Sequence, residues 1–251
     1  MRGFRTTFLA ALAGAAFVLA LAPLPGGAAG TVPFVGCPSD GQMGPVAAPK
    51  GQPKTLDIDA ASAQQLAWYQ AKYSEGALAP RGWKCASAYG SGGVILTITQ
   101  GKIDDSSPTV AGPAVVLRHE LGGTSGRFDV AQIAARVFAA PEKAFVASVI
   151  AEGVEAASDF PSGPYPADSV TYKSPTFVEF RTPAGKDGLG ALAGVGASPL
   201  PVVGVAKLVA AQDAPGVPDA LLLAVRLPAA QASLAPAIVS AAEATLPKTW
   251  P

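Results

Sequence analysis

Trp83-Lys84-Cys85-Ala86-Ser87-Ala88-Tyr89-Gly90-Ser91-Gly92-Gly93-Val94-Ile95-Leu96-Thr97-Ile98-Thr99 is the stretch that decides the fold. Two strand candidates, Trp83 to Tyr89 and Val94 to Thr99, flank Gly90 to Gly93, a turn-forming run of the kind that closes a hairpin. The second strand alternates: Val94, Leu96 and Ile98 point one way, Ile95, Thr97 and Thr99 the other. An antiparallel pair with one face to bury is therefore the nucleus from which the rest is read.

Toward the C-terminus, residues 114–121 form a further strand, and the turn Gly122 to Gly126 leads into a helix over 128–138. The apolar segment 143–152 is ambiguous between helix and strand, because it is short and has no decisive period. Thr176 to Arg181 reads as a strand, and Gly185 to Gly196, with five glycines, as a mobile loop. Val202 to Val209 and Ala220 to Leu227 are strongly apolar, as central strands are. The tail from Pro228 to Leu246 is helical; Pro228 suits a first helical position, and Pro236 kinks the helix or begins a second piece.

Toward the N-terminus, Asp59 is an N-cap for a helix running to Tyr73, with Leu66, Tyr69 and Tyr73 on its core face and Gly76 ending it. Residues 30–54 are dense in Gly and Pro and read as an extended arm. No fixed-period repeat and no internal linker is visible, so 55–251 is expected to be a single α+β domain, a mostly antiparallel sheet with packed helices.

Composition agrees with a folded chain. Of 251 residues, 49% are hydrophobic and 14% charged, and the 28 glycines and 24 prolines stay below the level of low-complexity disorder. Eighteen basic side chains balance eighteen acidic ones without a basic run, which removes the electrostatic driving force for nucleic-acid binding.

The first 29 residues read as a signal peptide: Arg2 and Arg5 precede an apolar run from Phe8 to Ala22, and Pro23 to Ala29 ends in small residues. The run is shorter than the roughly 20 residues a membrane-spanning helix needs. Cleavage after Ala29 removes two of the eighteen basic residues and leaves a slightly acidic, secreted chain, periplasmic or extracellular, with no membrane span. In an exported chain the two cysteines, Cys37 and Cys85, most economically pair as one disulfide. A metal site is a poor alternative, since two distant thiols and one histidine do not supply four ligands. Lipid attachment at Cys37 is also poor, because Phe34-Val35-Gly36 precedes it and the apolar run ends well upstream.

Chemistry has few places to reside. His119, the only histidine, shares a strand face with Val115, Leu117 and Leu121, while Arg118 and Glu120 share the other as a surface ion pair. It reads either as a half-buried structural residue whose ring nitrogens meet the backbone, or as the general base of a hydrolase acting with a serine or carboxylate. Gly90-Ser91-Gly92 and Thr124-Ser125-Gly126 only superficially resemble a nucleophile elbow. Gly188, Gly190 and Gly194 lack dinucleotide-loop spacing, so no nucleotide cofactor is implied. Asp104-Asp105 with two serines lacks the spaced ligands of a calcium loop, and Glu152 and Glu155 read as an exposed face. Trp68, Tyr69, Tyr73, Trp83 and Tyr89 cluster near Cys85; Trp68, Tyr69, Trp83 and Tyr89 are the binding candidates, as a platform for a sugar or peptide or as packing around the disulfide.

Pro80-Arg81-Gly82-Trp83-Lys84-Cys85, followed by Tyr89-Gly90-Ser91-Gly92-Gly93 and preceded by Cys37-Pro38-Ser39-Asp40-Gly41, resembles the N-terminal pattern of an uncharacterised family of secreted bacterial proteins with a P-R-G-W-x-C motif. The resemblance covers roughly the first third of the mature chain. It implies export and the Cys37–Cys85 pairing, and it carries no activity. The expectation is thus an exported, non-catalytic protein that binds an envelope component, a partner protein or a small ligand, with a hydrolase built on His119 as the alternative. The aromatic group and the Gly185 to Gly196 loop are the expected recognition elements.

Overall fold

In the computed structural model, which describes residues 29–103, 109–140, 142–211, 214 and 216–247, the hairpin forms with the expected partners: Tyr89 faces Val94 and Gly90 faces Gly93. Apart from Ala29, the leader lies outside the described residues, as does the Asp104 to Ser107 turn. Gly93 is required at its position. Its φ is +150°, and a Cβ there would lie 2.1 Å from the His119 carbonyl oxygen.

The strands in chain order are β1 (Ala29–Val32), β2 (Phe34–Gly36), β3 (Ser39–Gly41), β4 (Lys54–Asp57), β5 (Leu66–Gln70), β6 (Ala77–Pro80), β7 (Lys84–Gly90), β8 (Gly93–Thr99), β9 (Ala114–Glu120), β10 (Ser169–Ser174), β11 (Phe177–Thr182), β12 (Val202–Ala210) and β13 (Pro218–Arg226). The helices are α1 (Ala60–Gln65), α2 (Arg127–Val137), α3 (Lys143–Ala151) and α4 (Ala235–Thr245), with single 3-10 turns at Ala157–Asp159, Leu189–Ala193 and Ala229–Leu234. An eight-stranded sheet runs in the order β10-β11-β12-β13-β9-β8-β7-β3, antiparallel except where β3 lies parallel to β7. A second sheet, β2-β5-β6, and a β1–β4 pair complete the strands. The chain is a single α+β domain with a mostly antiparallel sheet.

Each face of the large sheet has its own core. Leu96, Ile98, Val115, Leu117, Leu221, Leu223 and Val225 pack against the small sheet and the buried side of α4 (Ile238, Ala241, Ala242). Ala114, Val116, Leu222 and Ala224 pack against α2 and the segment from Leu189 to Val195. β13 is buried along its whole length, which explains its strongly apolar run from Ala220 to Val225. Pro236 lies in the first turn of α4, so the tail divides there into a 3-10 turn and a helix.

One expectation is corrected and two are sharpened. Asp59 does cap a helix, its carboxylate accepting from the Ser62 backbone N–H at 2.9 Å and the Ser62 hydroxyl at 2.6 Å. That helix ends at Gln65, however, and the chain continues as β5, because Leu66 to Tyr69 are buried on both sides and their backbone pairs with β2 and β6. Segment 143–152 resolves as helix α3, lying on α2 through Phe145, Val146 and Val149. The stretch 30–54, extended as expected, is woven into all three sheets through β1, β2, β3 and β4.

Candidate functional site

The Cys37–Cys85 disulfide is formed, with Cα atoms 5.3 Å apart, and ties the arm to β7. The residues of the P-R-G-W-x-C motif interlock around it. Arg81 donates to the Leu66 and Ala63 carbonyl oxygens (2.9 and 2.7 Å), satisfying the exposed end of α1. The Tyr69 hydroxyl donates to the Pro80 carbonyl (2.8 Å) and accepts from the Trp83 N–H (3.2 Å). Gly82 takes φ +80°. The motif is therefore architectural: each of its residues closes a turn, caps a helix or fills a core.

That architecture corrects the aromatic platform. Trp68, Tyr69 and Trp83 are buried, leaving no ring face for a ligand. Trp68 is enclosed by Gly76 against its ring and by the Lys54 ammonium, 3.6 Å from the ring centroid. Tyr89 is half-buried, its hydroxyl donating to the Gly44 carbonyl at 2.6 Å and its ring 4.8 Å from that of Tyr73. Of the four binding candidates, Tyr89 alone reaches the surface, and it is occupied in holding the arm.

His119 lies at the end of β9 with 1% of its surface exposed. Two carboxylates are among its partners, where backbone groups were expected. Nδ1 is 2.9 Å from Glu75 Oε1, and Nε2 is 3.8 Å from Asp219 Oδ2. Asp219 is oriented by the Gly122 N–H, which donates to its other oxygen at 2.8 Å. Burial alone would pull the imidazolium pKa down; hydrogen bonding and charge from Asp219 and Glu75 outweigh it and raise the value to about 9. The residue is thus a buried cation across neutral pH. With 1% of its surface exposed, it presents almost no surface to a substrate.

The Arg118–Glu120 pair is also not a surface feature. The two side chains meet at 2.5 Å beneath α2, with Asp129 3.5 Å from Arg118, and Arg118 donates to the Leu192 carbonyl. Burial lifts the Glu120 pKa to about 7 despite Arg118. The serines of the two glycine turns, Ser91 and Ser125, have hydroxyls 3.1 Å apart and bond each other.

The loop Gly185 to Gly196 is held from several sides, which corrects its reading as mobile. Leu189, Gly190, Ala193 and Val195 are buried. Asp168 accepts from the Leu189 N–H at 2.8 Å, and the buried Arg226 donates to the carbonyls of Gly196 (2.9 Å), Gly112 (2.6 Å) and Val110. Gly188 and Gly190 serve close packing against Thr182, Asp168 and Val202, while Gly185 takes a positive φ in the exposed start of the loop.

An open concavity lies elsewhere. α4 crosses β12 and β13 but stops short of the outer strands, leaving a trough of about 520 Å³ between α4 and the β10–β11 hairpin. Strand alternation decides its surface: Val170, Val178 and Phe180 turn into the second core, so Ser169, Thr171, Glu179 and Arg181 face the trough. Val239, Ser240 and Glu243 line the opposite wall. Lys173 bridges the walls, 2.5 Å from Glu179 and 3.8 Å from Glu243. Burial, with Glu179 beside it, raises the Glu243 pKa to about 7, while the neighbouring Glu243 and Lys173 lower that of Glu179. None of these residues stood out in the sequence, although the alternation through 176–181 and the i, i+4 spacing of Val239 and Glu243 place them on faces.

Among the described residues there is no cluster of three or more metal-ligating side chains, and no helix is long and apolar enough to cross a membrane. The chain matches no family model, no curated protein and no solved structure.

Proposed function

We propose that this is an exported, non-catalytic protein of the cell envelope that binds an envelope component or partner protein through the trough beside α4. Export rests on the apolar leader, the resemblance to secreted bacterial proteins, and a formed disulfide, the bond an oxidising extracytoplasmic compartment sustains. One contrast carries the binding reading. The lone histidine is sealed and held as a cation, whereas the open concavity presents Ser169, Thr171, Arg181 and Ser240 without a nucleophile–base pair. A hydrolase built on His119 would need an accessible neutral imidazole beside a hydroxyl, and His119 has neither neutrality nor access.

Such a surface suits a polar ligand that exchanges hydrogen bonds with hydroxyls and charges along one wall and rests its apolar part on Val239 and Val203. Affinity capture from native envelope extracts tests the reading. A component retained by the wild type and by the distant control Val154→Trp, but lost with Ser240→Trp and with Thr171→Trp, is the expected result. Identical recovery by all four proteins, with folding checked by circular dichroism, overturns it.

A further inference from the structure

Among the described residues every arginine but one is engaged. Arg81 and Arg226 hold backbone carbonyls, Arg118 and Arg127 pair with Glu120 and Glu152, and Arg136 stacks on Tyr165 and bonds the Gly163 carbonyl. Arg181 has no hydrogen bond, ion pair or ring contact to any described residue, although it lines the trough of about 520 Å³.

The charges around Arg181 are matched to one another and not to it. Strand register sets Ser169 of β10 directly beside it on one side and Val203 of β12 on the other. Farther along the same face of β11, about 7 Å at the rise of a strand, Glu179 stands opposite Thr171 and is held by Lys173 at 2.5 Å. Glu243 is the only charged residue of α4 and lies 3.8 Å from the same lysine. It marks the end of the trough where Lys207 donates to the Leu246 carbonyl at 3.4 Å. Ala232, Ala235 and Pro236, which also line the trough, bring no charge. An open guanidinium and a hydroxyl therefore occupy one end, and two carboxylates sharing one ammonium occupy the other.

A guanidinium presents its N–H donors in a planar fork that a carboxylate accepts two at a time. With Glu179 and Glu243 at the far end, a ligand of single negative charge fits better than a polyanion, whose further charges would meet them. The hydroxyls of Ser169, Thr171 and Ser240 suit a ligand rich in hydroxyls, and Val203 and Val239 offer a surface for its C–H face. A peptide is served less well: the wall is a sheet face, and its backbone groups are committed to the strand ladder. We propose that the trough binds an acidic sugar, a hexuronate, with the carboxylate on Arg181 and the hydroxyls on Ser169, Thr171 and Ser240. This names the ligand chemistry of the surface already read as the binding site, and it rests on that reading.

Titration with sodium D-glucuronate at constant ionic strength, followed by the Arg181 Nε–H and Ser240 amide NMR signals, tests the site. D-glucose lacks the carboxylate, acetate lacks the hydroxyls, and N-acetyl-dialanine supplies a carboxylate on a peptide. Glucuronate is expected to give saturable shifts at both signals, with each of the other three bound about tenfold or more weakly. Arg181→Gln, at an exposed residue that bonds nothing, should keep the fold by circular dichroism and weaken glucuronate binding about tenfold or more, read at Ser240. Arg181→Lys, which keeps the charge without the fork, should recover part of the loss. The absence of saturable shifts, binding unchanged in Arg181→Gln, or N-acetyl-dialanine bound as tightly as glucuronate overturns the proposal. If glucuronate binds through Arg181 while envelope capture ignores Ser240→Trp and Thr171→Trp, the sugar site stands and the envelope-partner reading fails. If capture depends on both positions and glucuronate does not bind, the sugar proposal alone fails.

Discussion

Raising the pH through about 9 should weaken this fold through His119. His119 has 1% of its surface exposed, and its pKa is about 9 in the folded chain against 6.5 when unperturbed. A basic group whose folded pKa is raised contributes stability that is complete below the unfolded value and is lost as pH climbs through the folded one. The window is thus about pH 6.5 to 9, and a shift of that size corresponds to about 3 kcal/mol. The cause is structural: above the window, a neutral ring faces Glu75 at 2.9 Å and Asp219 at 3.8 Å, leaving two buried anions without their cation. Urea unfolding followed by tryptophan fluorescence at intervals from pH 6 to 10 measures the loss. His119→Gln, which cannot carry charge, provides the reference, since other titrating groups are common to both proteins. The wild type should be the more stable below pH 7, with the difference shrinking by about 3 kcal/mol toward pH 10. Parallel stability curves for the two proteins would refute the buried imidazolium.

Three further outcomes follow from contacts already described. Reducing Cys37–Cys85, or substituting Cys85→Ser, frees a loop with a sequence separation of 48 residues and should lower stability by up to about 4 kcal/mol in the chain-entropy account, read by urea unfolding with and without reductant. Arg226→Met strips the carbonyls of Gly112, Gly196 and Val110 of their donor and should cost about 3 kcal/mol or more, with protease cleavage appearing first in 185–196. Glu120 weakens the fold in the same direction as His119, at lower pH: burial raises its pKa from 4.5 to about 7, so its ionisation destabilises the fold as pH rises through that window. Glu120→Gln should match the wild type near pH 4.5 and exceed it at pH 8 by up to about 3 kcal/mol in thermal or urea unfolding, and a less stable variant at pH 8 would contradict the assignment.

The fold was legible where local pattern and tertiary demand coincide. The β7–β8 hairpin, the alternation of β9 and the apolar runs of β12 and β13 need no distant information, because each side chain's face follows from the period of two. β5 shows the opposite case. Leu66, Tyr69 and Tyr73 recur at helical spacing, yet the backbone between Leu66 and Gln70 is claimed by β2, thirty residues upstream, and by β6. A pairing made across such a distance leaves no mark on the segment itself, so the helical period wins on paper and loses in the molecule. Strands as short as β2 and β3 are invisible for the same reason: three residues carry no period, and their existence depends on partners already in place.

The chemistry of the sites was hidden for a related cause. His119 could be placed on an apolar face, but Glu75 comes from the β5–β6 connection and Asp219 from the neighbouring central strand, 44 and 100 residues away along the chain. Sequence reasoning sees an imidazole among aliphatics and assigns it backbone partners, because a lone histidine can rarely bring two carboxylates into a core. Here the sheet supplies them: β13 pairs with β9 so that Leu221 opposes His119, which sets Asp219 two residues on, along the same face. The same register places Arg118 and Glu120 on the reverse face under α2, so what reads as a surface pair becomes a buried one. Charged residues in this chain are few, and the antiparallel register, not their spacing in the sequence, decides which of them are sealed at the end of β9 and which face water in the trough. The trough groups are charges that the fold leaves accessible and paired across two elements, as it leaves Arg127 and Glu152 between α2 and the end of α3, but only the former line a concavity of this size, and for that reason binding is sought beside α4 and not at the histidine.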